Sequence, residues 1–157
     1  MPDLPLLEGW DRLTLVLLPL LVRCGAAAIC GGMIGLEREL NRKPAGLRTN
    51  MLICVGAAMY MTIGLLLVHA NGENADVSRI AAQVVTGIGF LGAGCIIQAG
   101  DHVTGLTSAA TIWVSAAIGI MAGAGFPTLA VIAALLVVVT LVLLREVEKR
   151  WLEEHPD

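Results

Sequence analysis

Three groups of residues in this sequence carry types and spacings that could do chemistry. The run GIGFLGAG at 87–94 opens with G-x-G-x-x-G, the pattern of a dinucleotide-binding turn. Glu37, Arg38, Arg48 and Asn50 bring charges and an amide into one short stretch, and Arg79 and Gln83 stand four residues apart further on. Each group needs a context before it can act. A dinucleotide turn needs a strand before it, a helix after it and an acid about 20 residues later for the ribose. Carboxylates and guanidiniums can pair, bind anions or anchor a helix end. Catalytic sets are not apparent: no Ser/His/Asp or Cys/His arrangement emerges, since His69 and His102 fall on opposite sides of the expected topology and His155 lies near the C-terminus. Cys24, Cys30, Cys54 and Cys95 all fall in apolar runs, without a C-x-x-C pair or a zinc spacing. They read as small packing residues. The sequence predicts no enzyme, no catalytic residue and no cofactor, and it assigns no metal ligand.

The elements that must position these groups are set by composition. Of 157 residues, 57% are hydrophobic and only 15% charged, against about 25% charged in a soluble domain; mean hydropathy is +0.81. A chain this poor in charge has lipid as its solvent. No basic patch marks a nucleic-acid partner, and Asp3, Glu8 and Arg23 make the first residues a poor signal peptide. A spanning helix needs about 20 mostly apolar residues, and five segments meet or approach that length: 13–36, 51–68, 80–97, 105–125 and 126–144. The fold class is therefore an all-α integral membrane protein with about five transmembrane helices. Pro19 is a potential kink in the first, and Pro127 suits the first turn of the last.

Lys and Arg set orientation. Arg38, Arg42, Lys43 and Arg48 follow the first span, and Arg145, Lys149 and Arg150 follow the last. With five spans both groups face the cytoplasm, so the N-terminus is outside and the C-terminus inside. Trp10 and Trp151 sit where interfacial anchors would. The expected organisation is one transmembrane domain over 1–150 and a short cytoplasmic tail over 151–157.

In that setting GIGFLGAG is not a nucleotide fingerprint. It lies inside the third apolar run, and Asp101 comes too soon to serve a ribose. Gly87, Gly89, Gly92 and Gly94 are instead expected to thin a helix so that neighbours approach closely. Two further rows have spacing four: Thr107, Thr111, Ser115, Gly119 and Gly123 in the fourth span, and Arg23, Ala27, Gly31 and Gly35 in the first. Such rows form ridges or grooves. Plain helix packing is one reading of the hydroxyl row and a substrate path the other. Val138 is expected to face lipid. Polar groups within the apolar zone point inward by default. Glu37, Arg38, Arg48 and Asn50 thus form a candidate functional cluster on the cytoplasmic side, with Glu37 expected to pair with Arg48; a solvated helix end is the alternative. Arg79 and Gln83 form a second polar site near the other side. Glu37, Glu39 and Asp101 near one boundary, and Glu73 and Asp76 near the other, build no intramembrane cage for a cation.

The ordered runs GGMIGLEREL, AGLRTNMLICVGAA, RIAAQVVTGIGFLGAGCII and VTGLTSAATIWVSAAIGIMAG closely resemble the MgtC/SapB family of bacterial inner-membrane proteins. The resemblance covers 25–150. It implies a membrane domain of four or five spans and a multi-pass protein of the bacterial inner membrane. It also implies a role in adaptation to low magnesium and in intracellular survival. Some members are thought to restrain the F-type ATP synthase rather than to carry Mg2+. The matching motif residues include Gly35, Glu37, Arg38, Gly46, Leu47, Arg48, Thr49 and Asn50, then Arg79, Gln83, Gly87, Gly89, Phe90, Gly92 and Gly94, and later Gly105, Thr111 and Trp113. Longer members carry a C-terminal cytoplasmic domain that is not expected here. Thr104, with His102 nearby, stands where members often have a basic residue. Two functions remain open: a membrane-embedded, homo-oligomeric modulator of another complex, and a small homo-oligomeric path for Mg2+ or another solute.

Overall fold

A computed structural model describes residues 10–71, 76–99 and 102–154. Glu73, Asp101 and His155, and the side chains of Trp10, Arg12 and His69, lie outside the described residues. Five helices carry the chain: α1 (Trp10–Leu40), α2 (Leu47–Asn71), α3 (Val77–Gly94), α4 (Leu106–Gly123) and α5 (Pro127–Glu154). All five are long and apolar enough to cross a membrane. Lipid leaves every backbone polar group to be satisfied internally, which favours helices for such runs.

The ends of the helices are set by local chemistry. The chain leaves α1 through Arg42 at φ 52, with Arg42 N–H donating to the Glu39 carbonyl and Lys43 N–H to the Arg38 carbonyl. This is a Schellman arrangement, with an arginine where glycine is usual. Asp76 caps α3 by accepting from Ser78 N–H at 2.9 Å. The third apolar segment, expected to continue to Ile97, stops at Gly94. Beyond it Ile97–Ala99 (β1) pairs antiparallel with His102–Thr104 (β2). The hairpin returns the chain at Gly105, whose φ of 88 and closeness to the Cys95 carbonyl leave no room for a Cβ. Pro127 opens α5 as expected, and α5 continues as helix to Glu154.

α4 is the centre of the bundle. Half its residues are buried, and it contacts each of the other four helices; α1 also packs on α2 and α5. The core is built from small side chains, among them Ala27, Cys30, Cys54, Ala58, Ala122 and Ala134. Small residues allow close approach where lipid supplies no hydrophobic drive. The spacing-four rows of α1 and α4 make that approach. A Cβ on Gly31 would fall 2.5 Å from the Asn50 carbonyl oxygen, and one on Gly35 2.7 Å from Leu47 Cα. On Gly119 it would meet Ala57 Cβ at 2.9 Å, and on Gly123 Ala58 Cα at 2.7 Å.

α3 behaves differently from α1 and α4. Gly92 is its one buried residue, with Ala109 at ordinary contact distance. A Cβ added at Gly87, Gly89 or Gly94 would meet nothing within 4 Å. These three therefore thin no contact inside the chain, because α3 packs on α2 and α4 through other positions, Ile80, Val84, Ile88 and Gly92. Val138, expected to face lipid, packs against the core cluster, whereas Leu136 and Val139 on the same helix are exposed.

Candidate functional site

Glu37 and Arg38 close α1 and are both buried, 7% and 3% exposed. Arg38 Nε donates to Glu37 Oε2 at 2.5 Å. The amide of Asn41, one turn on, donates to Glu37 Oε1 and to the Glu37 carbonyl, each at 2.7 Å. Arg145 of α5 donates to Asn41 Oδ1. The carboxylate thus belongs to a chain of contacts running from α1 to α5. Burying an ion pair is favourable only when the lone pairs are further satisfied, and Asn41 supplies part of that satisfaction. Arg38 Nη1 is buried without a partner.

The expected Glu37–Arg48 pair does not form. Arg48 is exposed on the first turn of α2, and the neighbouring Arg38 and Asn41 occupy the Glu37 carboxylate instead. The carboxylate that reaches α2 is that of Glu39, whose Oε2 accepts from Leu47 N–H at 3.0 Å. It satisfies one of the donors left open at a helix N-terminus and complements the positive end of the dipole.

Asn50 is fully buried and joins three elements. Its Nδ2 donates to the carbonyls of Ala45 at 2.8 Å and Gly46 at 2.9 Å, while Ser115 Oγ of α4 donates to its Oδ1 at 2.8 Å. Cys54 Sγ, one turn along α2, donates to the Ser115 carbonyl at 3.0 Å. Both amide donors and one acceptor position are used, so the group is well satisfied. Thr111 is buried and returns its hydroxyl to the Thr107 carbonyl at 2.7 Å, while Thr107 itself is exposed. Thr111 and Ser115 of the hydroxyl row therefore bond within the bundle.

At the other end, Arg23 Nη1 donates to the Gly123 carbonyl at 3.1 Å and Thr62 Oγ1 to the same oxygen at 3.3 Å. The intramembrane arginine finds a backbone partner at the negative end of α4.

Arg79 and Gln83 occupy a second place. With Leu52, Gly56 and Tyr60 of α2, the cap Asp76, and Gly87 and Leu91 of α3, they line a groove of about 920 Å³ between the two helices. Arg79, Gln83, Tyr60 and Gly87 are all exposed. Asp76, at the rim, has its carboxyl held below the usual carboxylate range by its hydrogen bonds to Ser78, with a smaller contribution from Arg79. Among the described residues no three His, Cys, Asp or Glu side chains gather as metal ligands would.

Asn41 and Arg145 are two members of the first site that sequence reasoning misses. The available signal for Asn41 is its spacing of four from Glu37, which places the two on one helix face. Arg145 carries no local signal, since its partner is far away in the chain.

The model for the MgtC family matches residues 24–150. "Protein MgtC" of Brucella abortus (strain 2308) is 45% identical over 119 residues, covering 76% of this chain and 48% of that protein. "Putative magnesium transporter YhiD" of Escherichia coli (strain K12) is 40% identical over 139 residues, covering 86% of this chain and 65% of that protein. "Protein MgtC" of Salmonella typhimurium (strain 14028s) is 40% identical over 136 residues, covering 87% and 57%. The chain spans about half to two thirds of the length of these relatives. No solved structure matches it significantly. With the family model covering most of the sequence and five helices able to span a bilayer, the chain belongs to the MgtC family and is a multi-pass protein of the bacterial inner membrane.

Proposed function

We propose that this protein serves adaptation to low magnesium, and through it intracellular survival, by modulating another membrane complex such as the F-type ATP synthase. The protein named a putative magnesium transporter and the two named MgtC support the link to magnesium. The observation that carries the choice of a modulator is how the buried polar groups are used. Glu37, Asn50, Thr62, Thr111 and Ser115 are bonded within the bundle. Asn50, Ser115 and Thr62 tie helices together, and Glu37 and Thr111 are satisfied on or at the end of their own helices, which favours a packing role over a path. The exposed polar groups of the groove face sideways into the membrane, where a neighbouring protein would meet them. In this reading the N-terminus is periplasmic and the C-terminus cytoplasmic.

The second reading, a homo-oligomeric path for Mg2+ or another solute, draws on Arg79 and Gln83 in the groove. Mg2+ is usually held through waters and one or two carboxylates, and Asp76 at the rim is the one acid in the groove lining. Flux of Mg2+ into liposomes holding only the purified protein separates the two. A modulator gives no flux above empty vesicles while its gene still supports growth at low magnesium. Saturable flux from the protein alone would reject the modulator reading.

A further inference from the structure

The exposed side of α3, part of which forms one wall of the groove against α2, is ordered along its whole length. Asp76, Arg79, Gln83, Gly87, Phe90 and Gly94 follow one another at spacings of three and four. At about 100° per residue the five helical positions from Arg79 to Gly94 fall within about 80° of arc, with Asp76 the cap just before them. All six are exposed. Phe90 is 82% exposed, and Gly87 and Gly94, one turn to either side of it, are open. Steps of three and four residues keep positions on one helix face, as in two helices packed side by side, with a large side chain of one entering a gap on the other.

We propose that this stripe is where a second copy of the chain docks in the membrane, α3 beside α3. Three features select a second copy over lipid or an unrelated helix. Gln83 lies about 9 Å along the helix from Val77, inside the span, and its side chain has no hydrogen-bond partner among the described residues. Lipid tails offer none, whereas a primary amide both donates and accepts and so can satisfy its own copy across a two-fold axis. Asp76 and Arg79, one turn apart on the stripe, give two parallel copies an acid and a base at nearly matching depth. Phe90 beside Gly87 and Gly94 supplies a projection and a recess on one surface, as a self-complementary interface requires. Gly56 on the facing wall of the groove is also open, which leaves room for the approach.

This inference deepens the reading of the protein as one that works through lateral contacts, and its test needs neither a partner complex nor magnesium. The purified chain, labelled with donor and acceptor dyes, is reconstituted in phosphatidylcholine vesicles, and energy transfer is followed as lipid dilutes protein. The expected result is reversible association that Phe90→Ala and Gln83→Leu each weaken at least about tenfold, while Val139→Ala on the exposed face of α5 leaves it unchanged. Both α3 changes fall on exposed side chains, and helix content checks that each variant is folded. In native membranes Gln83→Cys should cross-link to itself under mild oxidation, beyond the wild-type background of Cys24 and Cys95. A wild type that stays monomeric at all dilutions overturns the proposal. So do α3 variants that associate like wild type, a Gln83→Cys cross-link only to a different protein, or a monomer that carries a phospholipid into native mass spectrometry.

Discussion

Truncating Asn50 to alanine removes a buried side chain of α2 that hydrogen-bonds to both the α1–α2 connection and α4. Three hydrogen bonds are lost, two to the carbonyls of Ala45 and Gly46 and one from Ser115. The interhelical bond has a typical worth of about 0.6 kcal/mol in a membrane protein, with a ceiling near about 1.7. Leaving a buried acceptor unpaired costs about 1–3 kcal/mol. The Gly46 carbonyl keeps the Asn50 backbone N–H at 3.2 Å, so the Ala45 carbonyl carries most of that penalty. The sum is about 2–4 kcal/mol, a fall of roughly 30- to 800-fold in the folding constant at about 1.4 kcal/mol per decade. Reversible unfolding in bicelles measures it. A cycle with Ser115→Ala then isolates the interhelical bond, with an expected coupling of about 0.6 kcal/mol. A loss for Asn50→Ala below about 0.5 kcal/mol, the scatter of inconsequential substitutions, would refute the view that this amide ties the three elements together.

Gly119→Leu should prevent normal folding, because Ala57 and Cys54 crowd the position, whereas Gly89→Ala should be tolerated or stabilise α3 by about 0.5–1 kcal/mol; expression and thermal stability of the two compare them. Glu37→Gln should cost about 3–5 kcal/mol by leaving the Arg38 charge buried and poorly paired. Pairing Glu37→Arg with Arg48→Glu should restore nothing, since Arg48 is exposed and apart; unfolding of the single and double variants reads both outcomes. At Asp76 the folded carboxyl lies below its usual value, so its capping contribution is fully present above the ordinary carboxylate range near about 4 and fades as pH falls through the lower folded value. Hydrogen exchange at the Ser78 amide, corrected for its intrinsic pH dependence, should lose protection in that window, and Asp76→Asn should flatten the response.

The five helices are legible in the sequence because apolar length is a strong signal in lipid, and the rows through Gly31 and Gly119 mark close packing because spacing four defines one helix face. Other features depend on information no local pattern holds. A glycine row says that a helix can be approached, not by what: Gly92 has Ala109 beside it, whereas Gly87, Gly89 and Gly94 have open space within the chain. The strands at Ile97–Ala99 and His102–Thr104 are too short to show alternation, and by apolarity alone Ile97 extends the preceding span. Asn50 stands out because an amide in an apolar run must be satisfied, but its partners in the α1–α2 connection and α4 are not deducible. For Glu37 the error runs the other way: sequence reasoning favours a distant arginine, while the helix end lets the adjacent one fold back.

The burial pattern divides the molecule mechanically. α1, α2, α4 and α5 interlock through a small-residue core, while α3 packs on that block with one face only, through Ile80 at Gly64, Val84 and Ile88 on the cluster of Ala57 and Ile112, and Gly92 at Ala109. Openings of a protein follow its contact density. Thermal fluctuation should therefore concentrate in α3, which can rock as a unit while the block stays closed. Anything that grips its outer face would quench that motion and reach the α2 wall of the groove through it, without rearranging the core.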